Sequence, residues 1–260
     1  MRTLAVLPSR FAATRFPGKP LAPIAGRPMI QWVWEAARSA PGVDEVVVAT
    51  DDERILRAVH DFDGRVVLTH PDLPSGTDRV AAALDQLDET YDLVLNLQGD
   101  EPAMHPETVA AVVQLMADHP DFDLGTASCG FTDARELFSP NAVKVVTDDR
   151  GRALYFSRAP IPYLRHGAIF EQDYRPWMEP RHLASYQRHL GIYAFRVEAL
   201  RRFTQLPPHP LESMEMLEQL RALGHGFSIG VARSPHLSLG VDVPEDVEPV
   251  TELLRAQGRL

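Results

Sequence analysis

Near its amino terminus the chain reads L-A-V-L-P-S-R-F-A-A-T-R-F-P-G-K-P-L over residues 4–21. The first four residues form an apolar run that predicts a buried strand, and the prolines that follow forbid a regular helix. Arg10, Arg15 and Lys19 place three positive charges around Gly18 in this loop. Because a glycine lets backbone amides approach an anion and the cations neutralise further charge, we expect the loop to bind a polyphosphate.

Two common phosphate-binding motifs are missing from this loop. A P-loop has a glycine five residues before its Gly-Lys pair and a Ser or Thr after it, whereas this chain has Ala13 and Pro20 at those positions. The dinucleotide-binding pattern G-x-G-x-x-G is absent too. Because Pro20 disfavours helical geometry at Lys19, no helix is expected to begin at the lysine. We therefore expect phosphate to be held by side-chain cations and a flexible turn.

Length and charge bound the class of protein. A chain of 260 residues can build a full hydrophobic core, and 45% apolar and 24% charged residues are ordinary for a globular protein. A net charge of −10 argues against partners such as nucleic acid or an anionic membrane, although a nucleotide needs only a local positive pocket. No segment is long and apolar enough to span a membrane.

The cysteine content bears on the cellular compartment. Cys129 is the only cysteine, so an internal disulfide is excluded and a cytoplasmic location is the simplest expectation. Because Cys129 ends an apolar run, a small buried thiol is favoured over a nucleophile.

Strand-like and helix-like segments alternate through the first half. Strands are predicted at 4–7, 45–49, 65–68 and 93–97, and helices at 29–40, 78–87 and about 106–117. A further helix carries Ile55 and Val59 inward, and Thr50 or Asp51 could cap it. Repeated βα units predict an α/β fold with a mainly parallel sheet and helices on both faces. Ligands then bind beyond the carboxyl ends of the strands, where the basic loop and the segment 98–100 fall.

The second half has a different character. Residues 158–188 carry four prolines with aromatic and charged residues and show little periodicity. Such a long irregular segment is usually functional, an interface or a lid. Beyond it we predict a strand near 191–195, a helix at about 211–222, a strand at 227–232 and a closing helix at 244–256.

Two aspartates far apart in the sequence have similar settings. Asp100 follows the strand 93–97 through Gln98 and a glycine, and Asp242 lies between an apparent strand and a helix that Pro244 begins. Alone, each would more often be a turn or a helix-capping residue. Beside a cationic phosphate loop they favour a Mg²⁺ ion, which usually takes one or two protein carboxylates and fills its other positions with phosphate and water.

The segment Ser75-Gly76-Thr77-Asp78-Arg79 allows two interpretations. It precedes a predicted helix, so Ser75 or Thr77 could cap the free amides of that helix. The same hydroxyls, with Arg79, could instead recognise the edge of a nucleotide base. The segment by itself favours the cap.

Taken in order, these segments resemble the 3-deoxy-manno-octulosonate cytidylyltransferase family. Several motifs in a fixed order are far more specific than any one of them, and the resemblance covers nearly the whole chain. The matching segments are the basic loop, 49–51, 75–79, 96–102, 141–146, 154–159, 188–193, 210–212, 215–221 and 240–242.

The resemblance implies a Rossmann-like nucleotidyltransferase fold, with a mainly parallel mixed sheet flanked by helices and an irregular insertion for dimerisation and the sugar site. It implies one domain, in which residues 1–130 mainly bind the nucleotide and residues 131–260 mainly bind the sugar and the second subunit of a homodimer. It also implies transfer of CMP from CTP to the sugar acid Kdo, giving CMP-Kdo and pyrophosphate for lipopolysaccharide biosynthesis, with Mg²⁺ as cofactor.

By motif position, the resemblance assigns roles to individual residues. Arg10, Arg15 and Lys19 would hold the triphosphate and, with the metal ligands Asp100 and Asp242, form the catalytic set. Ser75, Thr77 and Arg79 would face the cytidine. The sugar site would be lined by Gln98, Arg158, His189, Tyr193 and one or more of Glu212, Glu215 and Glu218.

For two of these sugar-site residues we expect specific chemical roles. Arg158 is the expected bidentate partner of the sugar's carboxylate. His189 would donate a hydrogen bond to the sugar or assist a proton's departure. The chain departs from the family pattern at Ser9, usually alanine, and at Ala13, usually serine, while residues 167–181 match poorly and carry no assignment.

Three alternatives stay open at this point. The acceptor could be a related acidic sugar, such as 8-amino Kdo or sialic acid, although the segment 188–193 favours Kdo. The chain could be a catalytically silent nucleotide-binding module, against which the intact Lys19, Asp100 and Asp242 argue. An oxidoreductase is improbable because the glycine fingerprint of a dinucleotide site is missing.

Overall fold

The computed structural model describes residues 1–12, 16–165 and 180–260. Within these ranges the strands are β1 (Thr3–Ser9), β2 (Pro23–Ile24), β3 (Arg27–Pro28), β4 (Glu45–Thr50), β5 (Arg65–Leu68), β6 (Leu93–Leu97), β7 (Leu124–Gly130), β8 (Lys144–Thr147), β9 (Ala153–Ser157), β10 (Gln187–Arg196) and β11 (Ile229–Arg233). The helices are α1 (Met29–Ser39), α2 (Glu53–His60), α3 (Gly76–Leu84), α4 (Pro106–Asp118), α5 (Ala134–Leu137), α6 (Pro180–Leu183), α7 (Val197–Phe203), α8 (Pro210–Glu215), α9 (Gln219–Gly224) and α10 (Val247–Ala256).

A mixed sheet forms the centre of the described chain, with strands in the order β11-β7-β10-β6-β1-β4-β5. β1 pairs in parallel with β4 and β6, β5 pairs in parallel with β4, and β11 pairs in parallel with β7. β10 is antiparallel to both β6 and β7, and the hairpin of β8 and β9 continues the sheet from β10. The predicted α/β class, with a mixed sheet flanked by helices, is confirmed, although antiparallel pairings in the described sheet are as numerous as the parallel ones.

Helices cover both faces of this sheet because its central strands are apolar on both sides. In β1, Ala5 and Leu7 pack with α1, α2 and α4 on one face, while Leu4 and Val6 pack with α3, α7 and α9 on the other. All four side chains are fully buried, as expected of an interior parallel strand. The helix α10 packs in a separate cluster around Trp32.

Most predicted elements are present, with shifted ends. The helix predicted at 78–87 is α3, and the strand predicted near 191–195 is the middle of the longer β10. The helix α2 is capped by Asp52, and not by Thr50 or Asp51 as predicted. Asp52 has an extended backbone, and its carboxylate accepts a hydrogen bond from the Arg54 amide, so it satisfies a free amide of the first turn.

The expectation that no helix begins at Lys19 is wrong. A single turn of 3₁₀ helix spans Lys19–Leu21, and Gly18 precedes it in the left-handed region with φ of 72°. The Gly18 amide donates to the Phe11 carbonyl at 2.9 Å, which closes the loop. Pro20 is tolerated because the amide hydrogen it lacks would have no partner in the first turn.

The single helix predicted at about 211–222 is two helices, α8 and α9. They are separated at Met216, whose φ is 51°. The Arg158 side chain donates hydrogen bonds to the carbonyl oxygens of Glu215 and Met216, at 2.6 and 3.2 Å. Arg158, a residue distant in sequence, thus satisfies carbonyls that the break leaves without a partner inside a helix.

The prediction that Cys129 is a small buried thiol is confirmed. Cys129 is buried in the core, and burial raises the pKa of its thiol, as expected of an inert structural cysteine. Among the described helices, none combines the length and apolar character that crossing a bilayer requires.

The hairpin of β2 and β3 yields a stability prediction. Its two-residue turn places Ala25 at φ of 48° and Gly26 at φ of 81°, which is the pattern of a type I′ turn. Because asparagine tolerates this region better than alanine, Ala25→Asn should raise the free energy of unfolding by about 0.5–1 kcal/mol. Equilibrium unfolding in urea would measure it.

A matched variant isolates the backbone effect in that turn. A Cβ added at Gly26 meets no heavy atom within 4 Å, so Gly26→Ala changes backbone strain without a clash. We expect it to lower the free energy of unfolding by about 1 kcal/mol. Equal stability of the two variants and the parent chain would contradict the turn assignment.

Candidate active site

A cleft of about 420 Å³ opens at the carboxyl ends of β1 and β6. Arg10 and Lys19 from the basic loop line it, together with Gln98 and Asp100 from the loop after β6. Since β1 and β6 are adjacent and parallel, the loops that follow them emerge side by side. The two segments that the sequence singles out for phosphate and metal therefore meet in one place.

Lys19 is the charge that joins the two distant aspartates. Its Nζ lies 2.6 Å from a carboxylate oxygen of Asp100 and 3.5 Å from one of Asp242. The lysine side chain is 12% exposed, so this ion-paired group is largely shielded from solvent. Carboxylates from both halves of the chain thus converge on one cationic atom, an arrangement of oxygen ligands that suits a hard divalent cation.

Backbone contacts hold the two aspartates in position. The Val241 amide donates a hydrogen bond to the Asp100 carbonyl at 2.8 Å, which ties the two carboxylate-bearing segments together. The Asp246 carboxylate accepts a hydrogen bond from the Asp242 amide at 2.7 Å. Asp242 therefore stands in a loop that is braced on both sides.

The two arginines predicted in the basic loop differ in what the structure describes. Arg10 is exposed and lines the cleft. Burial lowers the pKa of the Arg79 guanidinium, and the nearby positive charge of Arg10 lowers it further. Arg15 lies outside the described residues. Phosphate binding by either arginine stays a prediction.

The S-G-T-D-R segment contains the helix cap that its sequence favours. The Ser75 side chain caps α3 by accepting a hydrogen bond from the Asp78 amide at 3.1 Å. Thr77 is buried and donates to a Glu218 carboxylate oxygen at 2.6 Å.

Arg79 joins the same helix to the neighbouring strand ends. Its guanidinium is buried and donates to the side chains of Asp51 and Thr69, which follow β4 and β5. Only Gly76 and Arg79 of this segment line the cleft. A role for the segment at the cytidine stays a prediction.

A second cavity of about 720 Å³ adjoins the cleft. Three predicted sugar-site residues line it: Arg158 after β9, and His189 and Tyr193 on β10. The rings of His189 and Tyr193 lie 5.5 Å apart, although the pairing of β10 with β7 is irregular between Leu190 and Tyr193. Asp242 lines both cavities and so marks the boundary between them.

His189 is held in the neutral state. Its Nε2 lies 2.8 Å from the Thr126 hydroxyl, and its ring packs edge-on against Phe156 at a centroid distance of 5.1 Å. Burial lowers the pKa of His189 to about 3. The imidazole is therefore suited to hydrogen bonding at neutral pH and unsuited to carrying a charge.

The Arg158 side chain is oriented by three backbone carbonyls. Its Nε donates to Glu215, and its two terminal nitrogens donate to Pro140 and Met216. Since a guanidinium has five N–H groups, two remain, one on each terminal nitrogen. This leaves a donor pair that suits a carboxylate in the second cavity.

The remaining predicted sugar-site residues lie elsewhere. Gln98 lines the first cleft and not the second. The Glu215 carboxylate accepts hydrogen bonds from the Ser157 hydroxyl and the Arg158 amide, and Glu212 pairs with Arg221. Neither glutamate is among the described residues that line the two cavities.

Comparison with known proteins places this geometry in a family. A family model described as Cytidylyltransferase matches residues 4–229. The 3-deoxy-manno-octulosonate cytidylyltransferase of Leptospira biflexa serovar Patoc is 46% identical, over 99% of this chain and 98% of its own length. That of Halorhodospira halophila is 47% identical, over 96% of each chain. The chain belongs to the 3-deoxy-manno-octulosonate cytidylyltransferase family.

A solved structure supports the same assignment. The structure of CMP:2-keto-3-deoxy-manno-octonic acid synthetase complexed with CTP superposes with a TM-score of 0.88 at 39% identity, covering 99% of this chain and 100% of that one. The nucleotidyltransferase class predicted from the sequence is thereby confirmed.

Ser9, which departs from the usual pattern of the 3-deoxy-manno-octulosonate cytidylyltransferase family, lies against a glycine. Ser9 is buried against Gly99, where an added Cβ would lie 2.6 Å from the Ser9 Oγ. The Ser9 hydroxyl therefore occupies space that only a glycine at position 99 leaves open. Ala13, the other departure, lies outside the described residues.

Sequence reasoning missed several polar residues that line the second cavity, among them Glu101, Arg188 and Gln219. All three lie inside segments that match the family motifs, so the signal was present. Which side chain of a motif faces the cavity depends on strand register and loop path, and these are properties of the folded chain.

Gln219 and Glu101 are the most informative of these. The Tyr193 hydroxyl donates to the Gln219 Oε1 at 3.0 Å, while the buried Nε2 has no hydrogen-bond partner among the described residues. The contact with Tyr193 thus fixes the Gln219 side chain in the cavity wall. Burial raises the pKa of Glu101 to about 7, although the Ser238 hydroxyl donates to it.

Proposed function

We propose that the protein transfers CMP from CTP to the anomeric hydroxyl of Kdo and releases pyrophosphate, with Mg²⁺ as cofactor. The observation that carries this proposal is the convergence of Lys19, Asp100 and Asp242 at the boundary of two adjoining cavities. One cavity has the cationic loop that a triphosphate requires, and the other has polar side chains that suit a hydroxylated acid. The names of the relatives and the CTP complex of the structural neighbour support it.

In this reaction the anomeric oxygen of the sugar forms a bond to the α-phosphorus of CTP. The bond between that phosphorus and the bridging oxygen of pyrophosphate breaks, the electron pair leaves with pyrophosphate, and the proton of the anomeric hydroxyl is released to solvent. Such transfers depend mainly on positioning and on neutralising phosphate charge. We assign the neutralising positive charges to Lys19 and Arg10 in the cleft, and to Arg15.

We assign Mg²⁺ to Asp100 and Asp242. Their carboxylates already face one positively charged atom, the Nζ of Lys19, so the pair accommodates a cation. When bound, the ion supplies positive charge against the phosphate oxygens of the nucleotide. Lys19 is then available to neutralise phosphate charge.

The contacts to the two substrates follow from the lining of each cavity. We propose that Arg158 binds the sugar's carboxylate through its two remaining N–H groups, and that Tyr193, Gln219 and His189 contact the hydroxyls. Glu215 supports this site by holding Arg158, and Glu212 supports α8 through Arg221. Residues 75–79 and Gln98 are assigned to the cytidine side of the first cleft.

Pyrophosphate release tests the proposal directly. The protein is incubated with CTP and Mg²⁺ and with Kdo, its 8-amino analogue or sialic acid in parallel reactions. Release with Kdo at the highest kcat/KM supports the proposed acceptor. A higher kcat/KM with another acid would identify that acid as the acceptor in place of Kdo. If no acid gives pyrophosphate release, the silent nucleotide-binding module is favoured.

The buried state of His189 leads to a pH prediction. Because the pKa of His189 lies at about 3, the imidazole stays neutral through the range in which an enzyme of this class is assayed. His189→Gln should lower kcat about tenfold, the worth of one hydrogen bond, without changing the shape of the pH profile. If kcat of the parent enzyme changes with pH near pH 6–7 and this change is absent from the variant, His189 transfers a proton instead.

The same residue affects stability. The unfolded chain binds this proton near pH 6.5, whereas the folded chain binds it only near pH 3. The free energy of unfolding should therefore fall as pH drops below about 6.5, and His189→Gln should reduce that fall.

We further propose that the enzyme is a homodimer, with exposed apolar side chains of the second half in the contact. Leu154, Met214 and Met216 are 54%, 81% and 76% exposed, so their side chains are available for such a contact. Sedimentation at micromolar concentration should give the mass of two chains, and the mass of one chain would contradict the proposal.

The proposal also covers the function of each half of the chain and the cellular location. We assign nucleotide binding mainly to residues 1–130 and sugar binding and dimerisation mainly to residues 131–260, with Asp242 serving both. A cytoplasmic location agrees with the single buried cysteine, and the product would serve lipopolysaccharide biosynthesis.

A further inference from the structure

A separate group of metal-ligating side chains lies where α4 begins. It consists of His105, Glu107 and His236, which we call the histidine cluster, and one ligand atom of each lies within 4.8 Å of the others. The His236 Nε2 is 2.8 Å from a Glu107 carboxylate oxygen, and the two imidazole rings stack with centroids 3.5 Å apart. The described linings of the two cavities include none of these residues.

We propose that the histidine cluster binds one transition-metal ion, with Zn²⁺ as the best match. Imidazole nitrogens and a carboxylate suit Zn²⁺ and its neighbours in the first transition row, whereas Mg²⁺ prefers oxygen ligands. Two histidines and one glutamate form a recognised zinc ligand set that leaves a position for water. This chemistry differs from that of the aspartate pair at the active site.

The protonation of the cluster affects metal binding. Burial and the neighbouring His236 lower the pKa of His105, and the hydrogen bond from His236 lowers the pKa of Glu107. Ligands must be deprotonated to bind a metal, so the shift at His105 favours its competent form, whereas a metal must displace the proton that His236 shares with Glu107. The bound ion would take the place of the proton between His236 and Glu107.

The ion has access to the cluster, and binding requires local adjustment. The side chains of Glu107 and His236 are 70% and 29% exposed, so an ion and its water can enter. The His105 Nδ1 accepts a hydrogen bond from the Glu107 amide, and this helix cap would be exchanged for the metal contact. The stacked rings would also tilt apart so that both lone pairs meet at one ion. The charge of Arg259 opposes the ion, whereas that of Glu107 attracts it.

The position of the cluster suggests what the ion would do. His105 follows Asp100 by five residues, and His236 precedes Asp242 by six. The same two segments are already joined by Thr108 and Ser234, whose hydroxyl oxygens are 2.6 Å apart. A bound ion adds a cross-link between the segments that present the active-site aspartates, and so restrains their separation.

Calorimetric titration with Zn²⁺ tests the site, using the full chain in excess Mg²⁺ and an Asp100→Asn/Asp242→Asn double variant that lacks the active-site carboxylates. We expect one Zn²⁺ per chain in both. In the parent chain, His236→Gln should weaken that binding by about 100-fold or more, since even losing a supporting contact costs 10- to 100-fold. The matched control is His70→Gln, because His70 is an exposed histidine beside an acid, Asp72, and should leave binding unchanged.

Amide hydrogen exchange supplies a readout that needs no turnover. Zn²⁺ should slow exchange in residues 234–242 and at the start of α4 in the parent chain, but not in His236→Gln. If His236→Gln does not fold, as judged by thermal melting, Glu107→Gln takes its place. Absence of Zn²⁺ binding, loss of binding in the double aspartate variant, or equal binding by the parent chain and the cluster variant would overturn the proposal. Since substrates are absent, failure here is distinct from failure of the proposed reaction.

Discussion

Asp100→Asn is expected to lower kcat for pyrophosphate release by at least about 100-fold, the usual cost of removing one well-placed electrostatic group. Asparagine keeps the shape of the side chain but removes the negative charge that faces Lys19 at 2.6 Å. It also removes one of the two carboxylates assigned to Mg²⁺, which should raise the Mg²⁺ concentration needed for half-maximal rate. Steady-state assays across a Mg²⁺ titration would measure both effects.

A control variant at an exposed aspartate distinguishes the loss of a charge in the active site from the loss of a charge on the surface. Asp72 is 87% exposed, so Asp72→Asn makes the same chemical change and should leave kcat within twofold of the parent enzyme, as is usual for surface changes. Thermal melting of Asp100→Asn should show a retained fold, because its side chain is 37% exposed. Near-normal turnover by Asp100→Asn at low Mg²⁺ would remove the metal assignment.

Lys19→Met is expected to produce opposite changes in catalysis and in metal binding. The rate should fall by about 100-fold, because the nucleotide cleft loses a positive charge that neutralises phosphate. Mg²⁺ binding to the free enzyme should tighten by about tenfold, since a unit charge about 4 Å away contributes ~1 to ~4 kcal/mol. Calorimetry without nucleotide and assays with it would measure the two effects separately.

This pair of readouts distinguishes a role at the site from general destabilisation. A misfolded variant would lose activity and metal binding together, whereas the structure predicts that they move apart. Arg27→Met is the control, because Arg27 forms an exposed ion pair with Glu35 and should change neither quantity. Unchanged kcat in Lys19→Met would contradict the assignment of the triphosphate to the basic loop.

The active site was predictable from sequence where chemistry depends on residue type and on position after a strand. Lys19 and Asp100 follow strands that pair in parallel, so their meeting follows from the βα pattern once β1 and β6 are neighbours. Asp242 was identified by its residue type and by its place between a strand and a helix. Its 3.5 Å approach to Lys19 depends on a loop path that no local pattern encodes.

The sugar side was less predictable for a physical reason. Whether a side chain faces a cavity depends on strand register and on long-range contacts, so no local pattern predicts that Gln219 and Arg188 line the second cavity while Glu212 pairs with Arg221. The helix break at Met216 shows the same limit, because residues 211–222 have helical character throughout. Only the folded chain brings the Arg158 guanidinium to the carbonyls at the break.

What the sequence by itself determined is most of the strands and helices, the parallel pairing of the strands in the first half and the chemical type of the cleft. These follow from apolar runs, from residue charge and from proline and glycine, all of which act over a few residues. Tertiary structure alone decided which side chains share a cavity, how Asp242 reaches Lys19 and where the histidine cluster forms. Those contacts join residues up to 223 positions apart, and their geometry depends on the packing of the whole chain.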